Sequence, residues 1–417
     1  MHDFYLYGIL GLPTWTLVDG TWAMLSQLAD VLPEGYNISA YLILSLTFGN
    51  IVPLFLGLTI KENSPSLQFA IYSILYIGLI TGIILAVVWD QSVSIGNTKV
   101  SLPLFIMFFI IGACASSSNV THYTFVSRSE AHNTTSLATG MGLGSMTSGI
   151  LALFQGLLLK NYGFNVTVYY IILAILYIPA LIAFQRLNSH NKYQNITPTA
   201  TLEENETDEV EVGYDATPTY SQPRSLSDSL LLFRHEKDST GCDDEFSDIS
   251  FLQKNIGILS LQLLNSSLGY GFIPALISYA CGKFNNKYLV LQLATGITAV
   301  IDPLCKFSTY YGRIESFQGL LYASIGLLYL SIGLILCATL PEDLTLYTGI
   351  GGILPVTLYV SFMGLFGYTN TCVFRYFKLT SRPQVVHHSY RWSGICSQTG
   401  ALIGSLLAFC MIVLGVL

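Results

Sequence analysis

The chain has 417 residues, 52% of them hydrophobic and 10% charged, with a mean hydropathy of +0.56 and a formal net charge of −7. A soluble domain carries roughly a quarter charged residues, so this composition excludes an ordinary water-soluble globule and fits a chain whose main solvent is lipid. The acidity is local: residues 189–251 hold fourteen of the twenty-five acids against four bases, a net of −10, and the remainder sums to +3.

A membrane span needs about 20 mostly apolar residues. That rule predicts spans near 4–28, 39–60, 67–89, 101–123, 134–158 and 165–187, then 252–280, 288–309, 316–340, 347–374 and 392–417. The run from Phe4 has no basic leader and no small-residue cleavage site, so it reads as the first span rather than a signal peptide. The expected fold is an all-α integral membrane protein with eleven spans in a 6+5 arrangement. Residues 1–188 form an N-terminal bundle and 252–417 a C-terminal one. The layout is similar to equilibrative nucleoside transporters and major-facilitator-like carriers, whose two lobes rock about a midplane site. No internal repeat between the halves is evident along the sequence.

The loop 189–251 is rich in Glu, Asp, Ser, Thr and Pro, a composition that does not order itself. Ser225 to Phe233 reads as a short amphipathic turn within it. Lys and Arg set the orientation. With the N-terminus inside, fourteen bases fall on cytoplasmic segments, and Lys99, Lys160, Lys283 and Lys287 fall outside. The C-terminus is then extracellular. Of seven N-x-S/T sequons, Asn37 and Asn165 lie on expected outer loops and are the candidates for glycan. Eight scattered cysteines include no C-x-x-C, so neither a zinc site nor a disulfide framework is expected, and no cofactor, metal or nucleic acid is implied.

Ionisable residues within a span are costly and usually face a cavity or a partner. Asp19 lies mid-span in the first run, with Trp15 four residues before it and Trp22 three after, all on one helical stripe. Two indoles beside an acid can grip a flat heteroaromatic ligand; each indole alone reads more simply as a packing residue. Asp302 and Lys306 in the eighth run are four apart, close enough to pair on one face. They read either as a substrate or coupling group, or as an ion pair with Lys306 reaching the inner interface. Pro303 follows Asp302 and is expected to kink the helix there and free carbonyls. Neutral polar residues gather in the fourth span (Ser116 to His122) and the seventh (Gln262, Asn265, Ser266, Ser267, before Tyr270). His122 reads as a pH-sensitive group or, more often for such a position, a satisfied interfacial histidine. In the fifth span Gly140-Met141-Gly142-Leu143-Gly144-Ser145 mimics a dinucleotide glycine pattern, but it lies in an apolar run with no strand before it. It reads as a surface for close helix approach.

These residues resemble the eukaryotic riboflavin transporters. The match runs through Trp15-x3-Asp19-Gly20-x-Trp22, Leu32-Pro33-Glu34-Gly35-Tyr36 and Tyr41-Leu42, then Asn50 with Pro53, and Ser118-Asn119-Val120-Thr121 with Phe125. It continues with Gly140-x-Gly142-Leu143 leading to Leu153-x-Gln155-Gly156, Gly271-Phe272-Ile273-Pro274-Ala275 leading to Ser278-Tyr279 and Cys281, Asp302-Pro303-Leu304, and Gln398-x-Gly400-Ala401-Leu402-Ile403-Gly404. The family carries Asn where Asp19 and Asp302 stand. The resemblance implies sodium-independent uptake of riboflavin across the plasma membrane, facilitative or, given those two acids, proton-linked. The expected substrate-binding residues are Trp15, Asp19, Trp22, Asn119, Thr121, Gln155, Asn265 and Tyr270, with Asp302 and Lys306 for coupling or gating. The nearest alternative is a nucleoside or nucleobase carrier, supported by the acid and base one turn apart. A receptor or scaffold acting through the acidic loop is the reading from another class. No catalytic motif falls within the spans, so an enzyme is not expected.

Overall fold

The computed structural model describes residues 2–59, 65–126, 129, 131–156, 165–194, 248–284, 286–309, 311–312, 314–340, 349–380 and 386–414. Most of the expected acidic loop, with the turn expected at Ser225 to Phe233, lies outside the described residues. Residues Met1–Asn191 and Gly257–Leu417 form one compact unit. Eight helices among the described residues are long and apolar enough to cross a membrane. They match the third to ninth and the eleventh expected runs.

The first run is instead three short helices: α1 (His2–Gly11), α2 (Thr16–Ala23) and α3 (Leu25–Val31). Pro13 has no N–H to continue α1. Ile9 O, which would have paired with residue 13, accepts from Leu12 N at 3.3 Å, and in the turn that follows Gly11 O accepts from Thr14 Oγ1 at 2.8 Å and Leu12 O from Thr16 Oγ1 at 2.6 Å. The second run divides at Asn50 into α4 (Ile38–Gly49) and α5 (Ile51–Thr59). Then follow α6 (Pro65–Val88), α7 (Leu102–Val126), α8 (Ala131–Phe154), α9 (Val166–Ile175) and α10 (Tyr177–Gln194). The seventh run is α11 (Asp248–Ser266), a π-helical turn Ser267–Phe272, and α12 (Ile273–Gly282). The last four are α13 (Lys287–Ser308), α14 (Phe317–Thr339), α15 (Ile353–Thr380) and α16 (Val386–Val413). Helix α15 carries Tyr368-Thr369-Asn370-Thr371 near its centre, which lowers its hydropathy. Helix α13 runs on through Pro303, which lies inside it. One element had no sequence expectation, a hairpin of β1 (Val93–Ile95) and β2 (Thr98–Val100) in which Gly96 takes φ 62°.

Lipid inverts the usual amphipathic pattern. Helix α14 buries Leu320, Ser324, Leu327, Ser331, Leu334 and Ala338 at alternating steps of four and three. It leaves Tyr322, Ile325, Tyr329 and Ile332 exposed. Its two buried serines bond backward to Leu320 O and Leu327 O, so their hydroxyls are satisfied within the helix.

Helices meet on glycine. A Cβ on Gly140 would stand 1.9 Å from Gly8 O, and one on Gly144 would stand 1.9 Å from Leu12 O, so α8 crosses the first run backbone to backbone. The fifth-span glycines are therefore a packing surface. Glu34, between α3 and α4, anchors the start of α7: its carboxylate accepts from Ser101 N and Ser101 Oγ, both at 2.6 Å. Hydrogen bonds to a charged group contribute about 1.5–3 kcal/mol. Glu34→Lys is expected to lower thermal stability in detergent by that order, and a melting profile matching the parent would contradict it.

Candidate functional site

The polar side chains of the interior gather from both ends of the chain. Asp19 on α2 accepts from Ser145 Oγ on α8 and lies within electrostatic reach of Lys306 and Asp302. Lys306 Nζ donates to Asp302 Oδ2 at 2.6 Å, as the spacing of four predicts. Lys306 is also within electrostatic reach of Tyr270, and Tyr123 of α7 within reach of Lys306. The side chain of Lys306 is 42% exposed and that of Asp302 19%.

On the first-half side, Trp15 Nε1 donates to Asn119 Oδ1 of α7 at 3.4 Å. Trp22 packs edge-on against Phe108 of the same helix, ring centroids 6.3 Å apart. Asn119 and Phe108 are eleven residues apart, about 16 Å of helix at 1.5 Å per residue. The two indoles thus contact α7 at separate levels, while Asp19 turns to α8. Thr121 is buried and donates to Ser117 O at 3.0 Å beside His122 Nδ1.

On the second-half side, α15 is the scaffold. Asn370 Nδ2 donates to Tyr270 Oη at 3.2 Å, and Gln262 Nε2 donates to Asn370 Oδ1 at 2.7 Å. Phe366 stands edge-on to Tyr270 at 4.8 Å. Gly367 has no Cβ, and that leaves room for the Asp302 carboxylate: a Cβ there would lie 2.0 Å from Oδ1. Asn265 is buried, donating to Ser324 Oγ at 2.9 Å, with its own Oδ1 unpartnered. Sequence reading did not single out Ser145, Tyr123, Gly367 or Asn370 as site residues. All lie on long apolar helices, and only the rotation of each helix shows which neutral residue turns inward.

Gln155 sits elsewhere, at the end of the bundle formed by α3, the start of α4, the end of α8, α12 and the start of α13. It is bonded to Gln27, and Ser26 beside it donates to Gln292 Oε1. Gln292 Nε2 also donates to Ala152 O at 2.9 Å. Ser39 Oγ reaches Ala275 O at 2.6 Å, and Tyr279 donates to Asn37. First-half and second-half elements are fastened together there. Gln292→Ala removes three of these contacts (to Ser26, Ala152 and Ala23). At about 1 kcal/mol each, two or three such bonds shift a closed–open equilibrium by tenfold or more. The expected outcome is faster labelling of a cysteine placed at Ser39 by a membrane-impermeant thiol reagent; labelling at the parent rate would contradict it.

Solved transporters share this fold. The nucleoside transporter NupG aligns over 99% of this chain and 91% of its own, with TM-score 0.56 at 14% identity. A D-xylose-proton symporter aligns over 98% of this chain and 88% of its own, with TM-score 0.59 at 13% identity. At these identities the likeness shows the fold, that of a multi-pass helical membrane protein. The model of the solute carrier family 52 riboflavin transporters matches residues 2–162 and 158–416, and the chain belongs to that family. It is similar to solute carrier family 52, riboflavin transporter, member 3-A of Danio rerio, at 26% identity over 96% of this chain and 93% of the relative. It is also similar to member 2 of Homo sapiens, at 22% over 97% and 92%, and to riboflavin transporter rft-1 of Caenorhabditis elegans, at 22% over 98% and 95%.

Proposed function

We propose that this chain carries riboflavin across the plasma membrane by alternating access, independently of sodium and either facilitatively or linked to protons. One observation carries the reading: in a member of this family, Asp19 from the first run lies within electrostatic reach of the Asp302–Lys306 pair from the eighth. We read these groups as lining a hydrated chamber, which suits a ligand with a flat ring system and a polyhydroxylated tail. The acids and amides bond the ring edge and hydroxyls, and the ring stacks near Trp22 or Trp15. The excess of bases on one set of loops supports a cytoplasmic N-terminus, eleven spans and an extracellular C-terminus. The fastened end is then the outer one, and the chamber faces the cytoplasm.

The test is uptake of labelled riboflavin by transport-deficient cells expressing the full chain, at two pH values, with adenosine, uridine and flavin analogues as competitors. Saturable uptake blocked by flavins and not by nucleosides is the expected result. Uptake absent, or competed equally by uridine, would overturn it. A rate that rises at the lower pH selects the proton-linked form.

A further inference from the structure

The two halves repeat a device that sequence reading alone does not reveal. Thr139-Gly140-x3-Gly144-Ser145 on α8 recurs as Thr399-Gly400-x3-Gly404-Ser405 on α16, six spans later. Each copy meets the backbone of the opening run of its own half. Cβ atoms on Gly140 and Gly144 would meet Gly8 O and Leu12 O at 1.9 Å each; on Gly400 and Gly404 they would meet Leu263 O and Ser267 O at 2.3 and 1.9 Å. The register is the same in both, because Gly8 and Leu12, like Leu263 and Ser267, are four apart. The backbone becomes irregular at the same point in each half, at the turn Leu12–Trp15 in one and the π-helical turn from Ser267 in the other. Irregular backbone at such a depth is tolerated where it lines a cavity.

Three residues past the second carbonyl stands an aromatic ring in each half, Trp15 and Tyr270. Each is hydrogen-bonded through its polar edge to an asparagine six spans apart from its counterpart, Asn119 on α7 and Asn370 on α15. Both rings are only partly buried. Tyr270 lies within electrostatic reach of Lys306 and Asp19, and Asp19 is one turn from Trp15, its N–H donating to Trp15 O at 2.9 Å. Resting on the functional reading above, we infer that a flat heteroaromatic ligand is gripped across the two halves by Trp15 and Tyr270. Asn119 and Asn370 fix the two rings, and Asn370 is a positioning residue of the site. A ring held by its edge presents its face with little rotamer freedom, which is what stacking of a planar ligand requires.

The experiment uses the full chain, measuring riboflavin uptake and, in detergent, quenching of flavin fluorescence on binding. Asn370→Ala and Tyr270→Phe both delete the Tyr270–Asn370 bond and keep the ring, and Asn370→Ala also removes the acceptor of Gln262. Each is expected to raise KM by about three- to tenfold with kcat within about twofold, and the double variant to be no worse than Asn370→Ala alone. Tyr270→Leu and Trp15→Leu remove a stacking face and are expected to raise KM at least about tenfold and to weaken the quenching. Unchanged KM in Asn370→Ala and Tyr270→Phe, additive losses in the double variant, or full quenching in both leucine variants would overturn the inference. If Asn370→Ala does not fold, Tyr270→Phe, which lacks one oxygen, decides alone. A parent protein that takes up riboflavin beside variants that behave like it sinks this inference only; a parent that neither binds nor carries riboflavin sinks the functional reading and this inference with it.

Discussion

Gly144→Leu is expected to remove the folded protein from the membrane. The missing Cβ at this position is where Leu12 O and Thr16 Oγ1 sit, at 1.9 and 2.4 Å from where it would be. A backbone carbonyl does not swing aside as the end of a long side chain does. Overpacking a core by extra methylenes costs about 1–3 kcal/mol when neighbours yield. Here they belong to a crossing that fixes the first run against α8, so the cost exceeds that range. The control is two residues away: a Cβ on Gly142 meets only Pro303 Cβ at 3.4 Å. Gly142→Ala should therefore reach normal surface amounts and melt near the parent, measured by detergent thermal shift. A reversed order, with Gly142 the sensitive position, would contradict the packing account and revive a ligand-binding role for the glycine run.

Lys306→Ala is expected to abolish riboflavin uptake while leaving most of the protein folded. An exposed ion pair is worth about 0–1 kcal/mol, whereas stranding one partner of a fully buried pair costs about 3–5 kcal/mol. With Lys306 42% exposed and Asp302 19%, this pair lies between those limits, so the chain survives the loss. The site does not. Asp19 and Asp302 would stand within electrostatic reach of each other without their cation, and like charges there oppose both each other and any electron-rich ring edge. Lys306→Arg keeps charge but changes shape, and Lys306→Ala combined with Asp302→Asn removes the stranded carboxylate. Recovery of surface amount but not of transport in the double variant separates a transport role from a merely structural one. Full uptake by Lys306→Ala would count directly against the site.

The sequence revealed the membrane class, most of the spans and the Asp302–Lys306 pair, because hydropathy and a spacing of four are local properties. It also marked Trp15, Asp19 and Asn119, each conspicuous as a polar or indole group in an apolar run. The contacts between them were not legible. Trp15 to Asn119 joins residues 104 apart, and the partner of Asp19 is Ser145, one small hydroxyl among many. Tyr270 could be listed from its polar neighbours, but Asn370, which holds it, stands in a helix whose inward face only packing reveals. Helix breaks followed a similar rule. Pro13 interrupts the first run, where Leu12 N and nearby hydroxyls take up the carbonyls around it, while Pro303 does not interrupt α13. A proline marks where a helix can break, and its surroundings decide whether it does.

The fastening between the halves is built from amides, hydroxyls and a cation over a ring, Lys287 above Tyr36 at 5.1 Å. Neutral hydrogen bonds do not feel the ionic atmosphere, whereas exposed ion pairs weaken as the Debye length falls to about 3 Å at 1 M salt. Parting them also moves no net charge through the membrane field, so a voltage that contributes about 2.3 kcal/mol per elementary charge per 100 mV has little to act on. Opening of the hydrogen-bonded part of this fastening should therefore hold steady from dilute medium to brine, whatever ion the rest of the cycle moves.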